Sequence, residues 1–350
     1  MAESRRNEFR RGAEALVQPY LIQKKMTSCY VACGQFGSDL SIHEWSNTDP
    51  DLKYDLASLT KALATTPLTL KMLLDRGETE EARVAHLLGD LPGLSDELKH
   101  LSVDSLLSHR SGLPAWRNFW LGRLPVSCFD WLENRTYLIS RLNTIARESA
   151  LKEKAYVYSD VGFILLGLIQ EILAKEDLSK IFHRFCRVSL GFRDSPLAFS
   201  DQLQSLSKEQ FVPSAFCRIR QRILCGEVHD ENSAAMGGIS GHAGLFGSGR
   251  GLVKFLDAYL SSDLGRYFTD KCKFKLTEGS EMPNVLGWKC SRVGQDLQLG
   301  HLGFTGVSFW ASPERAEFQI ILTNRIISSR QAPWMTSFRQ EMGNFLAGFR

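Results

Sequence analysis

Segments with the pattern of β-strands lie near both ends of the chain, and this arrangement constrains the fold more than any other feature of the sequence. Alternating apolar and polar positions predict strands at 27–34, 40–45, 285–293, 298–300, 306–311 and 317–324. The first two of these are joined by a turn around Gly37-Ser38-Asp39. The sequence therefore predicts an α+β fold: one antiparallel sheet built from both chain ends, flanked by the terminal helices and placed beside a mostly helical lobe.

Helical spacing of apolar residues fills most of the middle of the chain. Helices are predicted at 4–20 (ending near Pro19), 58–75, 103–109, 161–174, 176–188, 252–260 and 334–349. Pro67 lies inside the second of these helices and should kink or interrupt it, because proline has no N–H to donate. Residues 1–57 and 284–350 are assigned to the sheet lobe and 58–283 to the helical lobe, as a single catalytic unit with its site between the lobes.

Composition excludes several classes of protein. The 350 residues are 43% hydrophobic and 23% charged, with a net charge of +3, which is typical of a globular protein and argues against a nucleic-acid partner. Eight scattered cysteines without a C-x-x-C motif indicate reduced thiols. No signal peptide or long apolar run is recognised, so a cytoplasmic location without a membrane span is expected, or a periplasmic one if the N-terminus is trimmed. The oligomeric state is left open.

Ser58 and Lys61 form the first candidate motif. They stand three residues apart at a predicted helix start, so they share a face, and a serine hydroxyl needs a nearby base before it can act as a nucleophile. On its own the pair is equally typical of a serine N-cap followed by an ordinary helix lysine.

Two further motifs follow along the chain. Tyr158-Ser159-Asp160 precedes an apolar helix, where Tyr158 is either a proton shuttle or a packed aromatic and Asp160 is either a site residue or an N-cap. Gly300-His301-Leu302-Gly303-Phe304-Thr305-Gly306 lies on or beside a late strand, where the glycines either admit a substrate or form a tight turn.

The order Ser-x-x-Lys, Tyr-Ser-Asp and His-x-Gly resembles the motif order of the class C β-lactamase-like serine hydrolases, which include D-Ala-D-Ala carboxypeptidases and esterases. The resemblance covers roughly residues 25–346. It implies that Ser58 is the nucleophile, that Lys61 and Tyr158 move its proton, and that His301 stands in for the strand lysine. It also implies that Asp160 bonds Lys61 or the substrate amide, and that the N–H groups of Ser58 and Phe304 bind the oxyanion. Gly303 keeps the strand edge open.

Departures from the family pattern shape the expected activity. Leu302 has no hydroxyl for a substrate carboxylate, although Thr305 could compensate, so weak or no β-lactamase activity is expected. Asp160 adds a negative charge that should hold Lys61 protonated and shift the role of base toward Tyr158.

Other candidates are weaker. Residues 229–232 (His-Asp-Glu-Asn) are read as a loop lining the site rather than a metal site, because consecutive residues rarely converge on one metal. His242 is read as a structural or cleft-edge residue, His109 as a cap of local backbone, and Trp116 as a core residue with cleft lining as the alternative. No cofactor and no metal are expected.

The sequence therefore predicts a serine hydrolase that acts through an acyl-enzyme on a small amide or ester. A peptidoglycan fragment, cleaved by an amidase or carboxypeptidase, is the leading substrate. An esterase with an apolar pocket and a non-catalytic binder of wall peptides are the alternatives.

Overall fold

Both ends of the chain contribute to one seven-stranded antiparallel sheet. The computed structural model describes residues 2–37, 40–89, 91, 93–120, 131–149, 155–277, 283–293 and 296–349. Its strands are β1 Cys29–Gln35, β2 Ser41–Ser46, β3 Tyr54–Asp55, β4 Leu197–Phe199, β5 Phe216–Cys217, β6 Arg222–Ile223, β7 Leu245–Gly247, β8 Asn284–Val285, β9 Trp288–Val293, β10 Asp296–Leu302, β11 Ser308–Ser312 and β12 Glu317–Thr323. The large sheet has the order β2-β1-β12-β11-β10-β9-β8. The predicted sheet architecture is confirmed.

Helices occupy most of the remaining described chain. They are α1 Ala2–Ile22, α2 Thr66–Asp75, α3 Val84–Leu88, α4 Asp96–Lys99, α5 Val103–Leu107, α6 Trp131–Ser149, α7 Asp160–Ala174, α8 Leu178–Val188, α9 Glu231–Ala235, α10 Gly249–Ser261, α11 Asp263–Thr277 and α12 Trp334–Ala347. A π-helical segment, Lys61–Thr65, leads directly into α2, and 3₁₀ turns occur at Ser200–Leu203, Lys208–Gln210 and Arg325–Ile327. The sequence analysis did not predict α6 or α11.

The large sheet separates two hydrophobic cores. In β1, Val31 packs toward α1 and α12, while its neighbours Tyr30 and Ala32 face the core shared with the middle of the chain. Helix α1 covers the sheet because Phe9, Ala13 and Val17, spaced four residues apart, are all buried on one face.

The predicted hairpin at the start of the sheet is present, since β1 pairs with β2 in antiparallel register. Of its predicted turn, Ser38 and Asp39 lie outside the described residues. The single strand predicted at 285–293 is wrong, because β8 and β9 form a hairpin instead. Leu286 and Gly287 at its tip have φ of +46° and +79°, and two adjacent left-handed residues are the conformation of a tight type I′ turn.

The predicted end of the first helix near Pro19 is also wrong, since α1 continues to Ile22. Its last turn is held by packing, because the ring of Tyr20 lies 5.1 Å from that of Trp334 and 4.9 Å from that of Phe338.

Pro67 interrupts its helix less than predicted. It occupies the first turn of α2, where an N–H has no intrahelical partner to lose. The change in helical geometry occurs just before it, in the π-helical segment, where the N–H of Thr66 donates to Lys61 O five residues back. Lys61 thus begins a widened turn.

The middle of the chain also contains two small sheets, β3-β7-β4 and β5-β6, which the sequence analysis did not predict. The glycine-rich stretch before β7 lies directly on α7. A Cβ on Gly241 would sit 2.1 Å from Phe163 O, and one on Gly167 would sit 2.9 Å from Gly241 N, so both positions require glycine. The division into lobes at residues 57 and 284 stays a prediction.

None of the helices in the described part of the chain is long and apolar enough to cross a membrane. Seven cysteines are free thiols there, and Cys128 lies outside the described residues.

Asn324 joins the two ends of the sheet to the middle of the chain. Its Oδ1 accepts from the N–H groups of Thr27 and Ser28 at 2.9 and 3.0 Å, and its Nδ2 donates to Pro213 O at 2.8 Å. Asn324 is 2% exposed and Ser28 is 3% exposed, so water does not readily replace the amide as the partner of the Ser28 N–H.

We expect Asn324→Ala to lower the free energy of unfolding by about 1–3 kcal/mol, because it leaves the buried Ser28 N–H without its acceptor and removes the bonds to Thr27 and Pro213. Urea denaturation measures the change. Asn7→Ala, at an exposed position of α1, serves as the control and should stay within about 0.5 kcal/mol of wild type. Equal stability of the two variants would contradict the role given to Asn324.

Candidate active site

Ser58 follows a strained turn between β3 and the π-helical segment. Ala57 has φ +46°, a left-handed conformation that residues other than glycine rarely adopt. The turn is stabilised because Ala57 N donates to Asp55 Oδ1 at 2.8 Å and the Thr60 hydroxyl donates to Ala57 O at 2.7 Å. Ser58 stays partly exposed and lines a cavity, so the turn brings its hydroxyl to an accessible position.

Asp55 connects this turn to two other segments, a role that the sequence analysis did not assign. Its Oδ2 accepts from the N–H of His229 at 2.7 Å, and its main-chain oxygen accepts from the Thr305 hydroxyl at 2.8 Å. Burial raises the pKa of Asp55 to about 6, although the two N–H donors, of His229 and Ala57, oppose the shift.

Lys61 is completely buried, and three oxygen atoms surround its ammonium group. Nζ lies 2.8 Å from Ser58 Oγ, 2.8 Å from Asp160 Oδ1 and 3.3 Å from His242 O. Burial by itself lowers the pKa of Lys61, but the charge of Asp160, together with Tyr158, outweighs it and holds this pKa above its ordinary value. Lys61 is therefore a cation that donates to Ser58.

Tyr158 lies beside this ammonium, with its ring centre 4.9 Å from Lys61 Nζ. The ring of His109 packs 4.5 Å away on centroids, and His109 Nδ1 accepts from the N–H of Ser159 at 2.9 Å. His109 thus caps the backbone ahead of α7, as predicted, and also supports Tyr158. Burial and the charges of Lys61 and Lys289 lower the pKa of His109 to about 3, so its imidazole is neutral.

His301 is fully buried in β10, with its ring centre 6.0 Å from that of Tyr158. Its Nδ1 lies 2.9 Å from Leu302 O, so Nδ1 carries the proton and Nε2 keeps a lone pair. Burial, Lys61 and His109 hold the pKa of His301 well below its ordinary value. His301 therefore does not supply a positive charge to the cavity.

His242 belongs to a buried polar chain next to Lys61. Its Nε2 lies 2.8 Å from Asp230 Oδ1 and its Nδ1 lies 2.8 Å from Ser240 Oγ. Burial by itself raises the pKa of Asp230, but the partner His242 outweighs it and holds that pKa well below its usual range. Since the main-chain oxygen of His242 accepts from Lys61, the chain fixes one side of the ammonium site.

A cavity of about 530 Å³ brings these groups together. The predicted site residues that line it are Ser58, Trp116, Tyr158, Asp160, His242, His301, Gly303, Phe304 and Thr305, with Lys61 buried behind Ser58. Tyr156, Lys289 and Arg330 also line it, and the sequence analysis missed them because no motif contains them. Trp116 is 46% exposed, so the expectation that it is a core residue is wrong.

Thr305 and Gly303 have surroundings different from those that the sequence analysis expects. The Thr305 hydroxyl donates to Asp55 O, so its proton is not available to replace the hydroxyl that Leu302 lacks. A Cβ on Gly303 would lie 2.4 Å from Val307 Cγ2 and 3.0 Å from Leu56 O. Glycine is therefore required there by the protein's own packing.

Within the described ranges, no three His, Cys, Asp or Glu side chains are grouped so that they could hold a metal ion. In the loop 229–232, Asp230 bonds His242, Glu231 pairs with Arg330, and Asn232 bonds main-chain atoms of residues 117 and 119. His229 and Glu231 line the cavity.

Comparison with known proteins finds relatives of similar sequence. A "Putative D-alanyl-D-alanine carboxypeptidase" of Escherichia coli K12 is 25% identical over 304 residues, which cover 78% of this chain and 69% of the relative. A similarly described protein of Salmonella schwarzengrund is 26% identical over 325 residues, covering 83% of this chain and 73% of the relative.

Solved structures share the fold. A D-amino acid amidase from Ochrobactrum anthropi SV3 aligns with a TM-score of 0.64 at 18% identity, covering 96% of both chains. A class C β-lactamase from Rhodobacter sphaeroides aligns at 0.61 and 16% identity, covering 96% of this chain and 98% of the other. The model of the beta-lactamase family matches residues 15–334. With nearly the whole chain matched, this protein belongs to the beta-lactamase family.

Proposed function

We propose that this protein is a serine hydrolase that transfers the acyl group of a small amide to Ser58 and then to water. The observation that carries the proposal is the buried Lys61 ammonium, which touches Ser58 Oγ and Asp160 while Tyr158 lies beside it. A purely structural serine and lysine do not require a buried, ion-paired cation in a cavity.

In the acylation step, Tyr158 acts as the base. Lys61 is protonated and donates to Ser58, so it cannot accept the proton of Ser58. In the proposed step this proton passes to Tyr158, which acts in its phenolate form. Ser58 Oγ forms a bond to the substrate carbonyl carbon. Tyr158 then returns the proton to the leaving nitrogen as the C–N bond breaks, which releases an amine and leaves an ester on Ser58.

Deacylation repeats these steps with water. Tyr158 takes one proton from the attacking water, whose oxygen bonds to the ester carbon. The bond to Ser58 Oγ then breaks, Oγ recovers the proton from Tyr158, and the carboxylic acid leaves.

The main-chain N–H groups of Ser58 and Phe304 are the proposed oxyanion donors. Both residues line the cavity, and neither N–H donates to an acceptor within the described residues. The ring of Phe304 is fixed between cations, with the guanidinium carbons of Arg325 and Arg330 at 4.9 and 5.4 Å from its centre.

A peptide or amide of a D-amino acid is the proposed substrate class. The support is the description of the sequence relatives as carboxypeptidases and of a structural neighbour as a D-amino acid amidase. A small ester is the alternative substrate, since the same acyl transfer serves both bonds.

The nucleophile is tested by intact mass spectrometry after treatment with a fluorophosphonate probe. We expect one adduct on wild type and none on Ser58→Ala, because only an activated serine attacks the probe phosphorus. Ser240→Ala is the matched control, since the Ser240 hydroxyl bonds His242 and not Lys61, and Ser240 is only 6% exposed. It should keep the adduct. Folded wild type without an adduct would leave a non-catalytic binding protein as the better interpretation.

The charge of Lys61 is tested with Asp160→Asn. Without the carboxylate, burial dominates and the pKa of Lys61 falls, so the lysine loses its proton as pH rises through a lower value. We expect kcat/KM to drop about 10- to 100-fold and its alkaline limb to move to lower pH. Asp177→Asn, at the N-cap of α8, should keep the wild-type profile. A profile of Asp160→Asn that superimposes on wild type would refute Tyr158 as the base.

A further inference from the structure

The cavity is lined by a positively charged side chain, Lys289, that the proposed acyl transfer does not use. Lys289 of β9 lines the cavity and is partly buried, and no carboxylate of the described chain lies within ion-pair distance of it. The positive charge of Lys289 acts on buried groups, because it helps to lower the pKa of both His109 and His301. Arg330 lines the cavity too, but unlike Lys289 it forms an ion pair, with Glu231.

The neighbours of Lys289 add polar groups on the same face of the sheet. Asn284 lies directly opposite Lys289 in the β8–β9 pair, and opposite residues of an antiparallel pair share a face. The Asn284 Oδ1 accepts from the Tyr156 hydroxyl at 2.7 Å, and Tyr156 lines the cavity. The three residues form one cluster in this sense: Tyr156 and Lys289 line the cavity, and Asn284 is bonded to Tyr156 and shares a strand face with Lys289.

The side-chain amide of Asn284 has an N–H donor that no described residue accepts from. It is 1% exposed, yet its Nδ2 has no hydrogen-bond partner among the described residues. Buried amide groups are nearly always bonded. An Nδ2 without a partner, on the same strand face as an ammonium without an ion pair in the described chain, therefore points to an acceptor that arrives with a ligand. An ammonium and an amide N–H together suit a carboxylate, which accepts several charge-assisted hydrogen bonds.

The charges of the other groups in the site support the binding of an anion near Lys289. His301 and His109 are neutral, and the Lys61 charge is already balanced by Asp160. Thr305 and Leu302 offer no free hydroxyl proton. Among the described residues that line the cavity, Lys289 is therefore a cation that can meet a negative group on a substrate.

We infer that the cluster of Tyr156, Asn284 and Lys289 binds the free carboxylate of the substrate. This inference rests on the proposed hydrolase function and narrows it: peptides that end in a carboxylate are preferred over amino-acid amides. In this inference Lys289 determines substrate specificity, and it takes no part in the acyl transfer by Ser58, Lys61 and Tyr158.

The test measures binding without turnover. Titration calorimetry on Ser58→Ala compares N-acetyl-D-alanyl-D-alanine with the same dipeptide carrying a C-terminal carboxamide. We expect the free acid to bind about 10- to 100-fold more tightly, a difference typical of a charge-assisted hydrogen bond. Adding Lys289→Met should abolish the preference, and adding Lys289→Arg should retain most of it. Adding Lys254→Met, which removes an exposed lysine of α10, should leave it unchanged.

Three outcomes would overturn the inference: equal affinities for the two dipeptides, a preference that survives Lys289→Met, or no binding of either dipeptide. Fluorophosphonate labelling of the wild type separates this result from the proposed function. If the wild type is labelled on Ser58 but Ser58→Ala shows no carboxylate preference, only the role of Lys289 is refuted. A carboxylate preference in a protein whose Ser58 is never labelled refutes the hydrolase and leaves a binding site.

Discussion

The buried ion pair between Lys61 and Asp160 is the interaction on which the site depends. An ammonium removed from water is costly unless charges and dipoles replace the lost solvation. Here the replacement comes from three separate parts of the chain: Ser58 on the preceding turn, Asp160 at the start of α7 and His242 O on the glycine-rich loop. The ammonium therefore fixes these segments relative to one another, and the close contact between Gly167 and Gly241 makes that arrangement possible.

Burial also determines the protonation of the other titratable groups. The imidazoles of His109 and His301 lie close to the same ammonium in a water-poor environment, so both stay neutral. Two residues with left-handed backbone, Ala57 and His109, stand next to the reacting groups. Hydrogen bonds hold both residues in place: Ala57 N donates to Asp55 Oδ1, and His109 Nδ1 accepts from Ser159 N. Such bonds allow a fold to keep a strained backbone at a functional site. The site thus has one positive charge on Lys61, balanced by Asp160, and another on Lys289.

The motif residues could be recognised in the sequence because each motif is short and carries its own chemistry. Ser58, Tyr158 and His301 were recognised by spacing and order, and the structure brings them to one cavity. Tyr156, Asn284 and Lys289 were missed because they belong to no motif and meet only through the β8–β9 hairpin and its contact with the segment before α7. That hairpin was itself missed, since Leu286 gives no signal of a left-handed turn. The continuation of α1 past Pro19 likewise depends on aromatic packing against α12.

The sequence by itself determined the two-ended antiparallel sheet and the residue types available for acyl transfer, because strand periodicity and motif spacing are local properties. It also indicated that Asp160 would keep Lys61 charged. Only the tertiary structure decided that His301 is neutral, that Thr305 is occupied by Asp55, and that a lysine from a neighbouring strand reaches the cavity. The physical reason is that protonation and hydrogen-bond partners depend on burial and on distances between segments far apart in the chain, which local patterns do not encode.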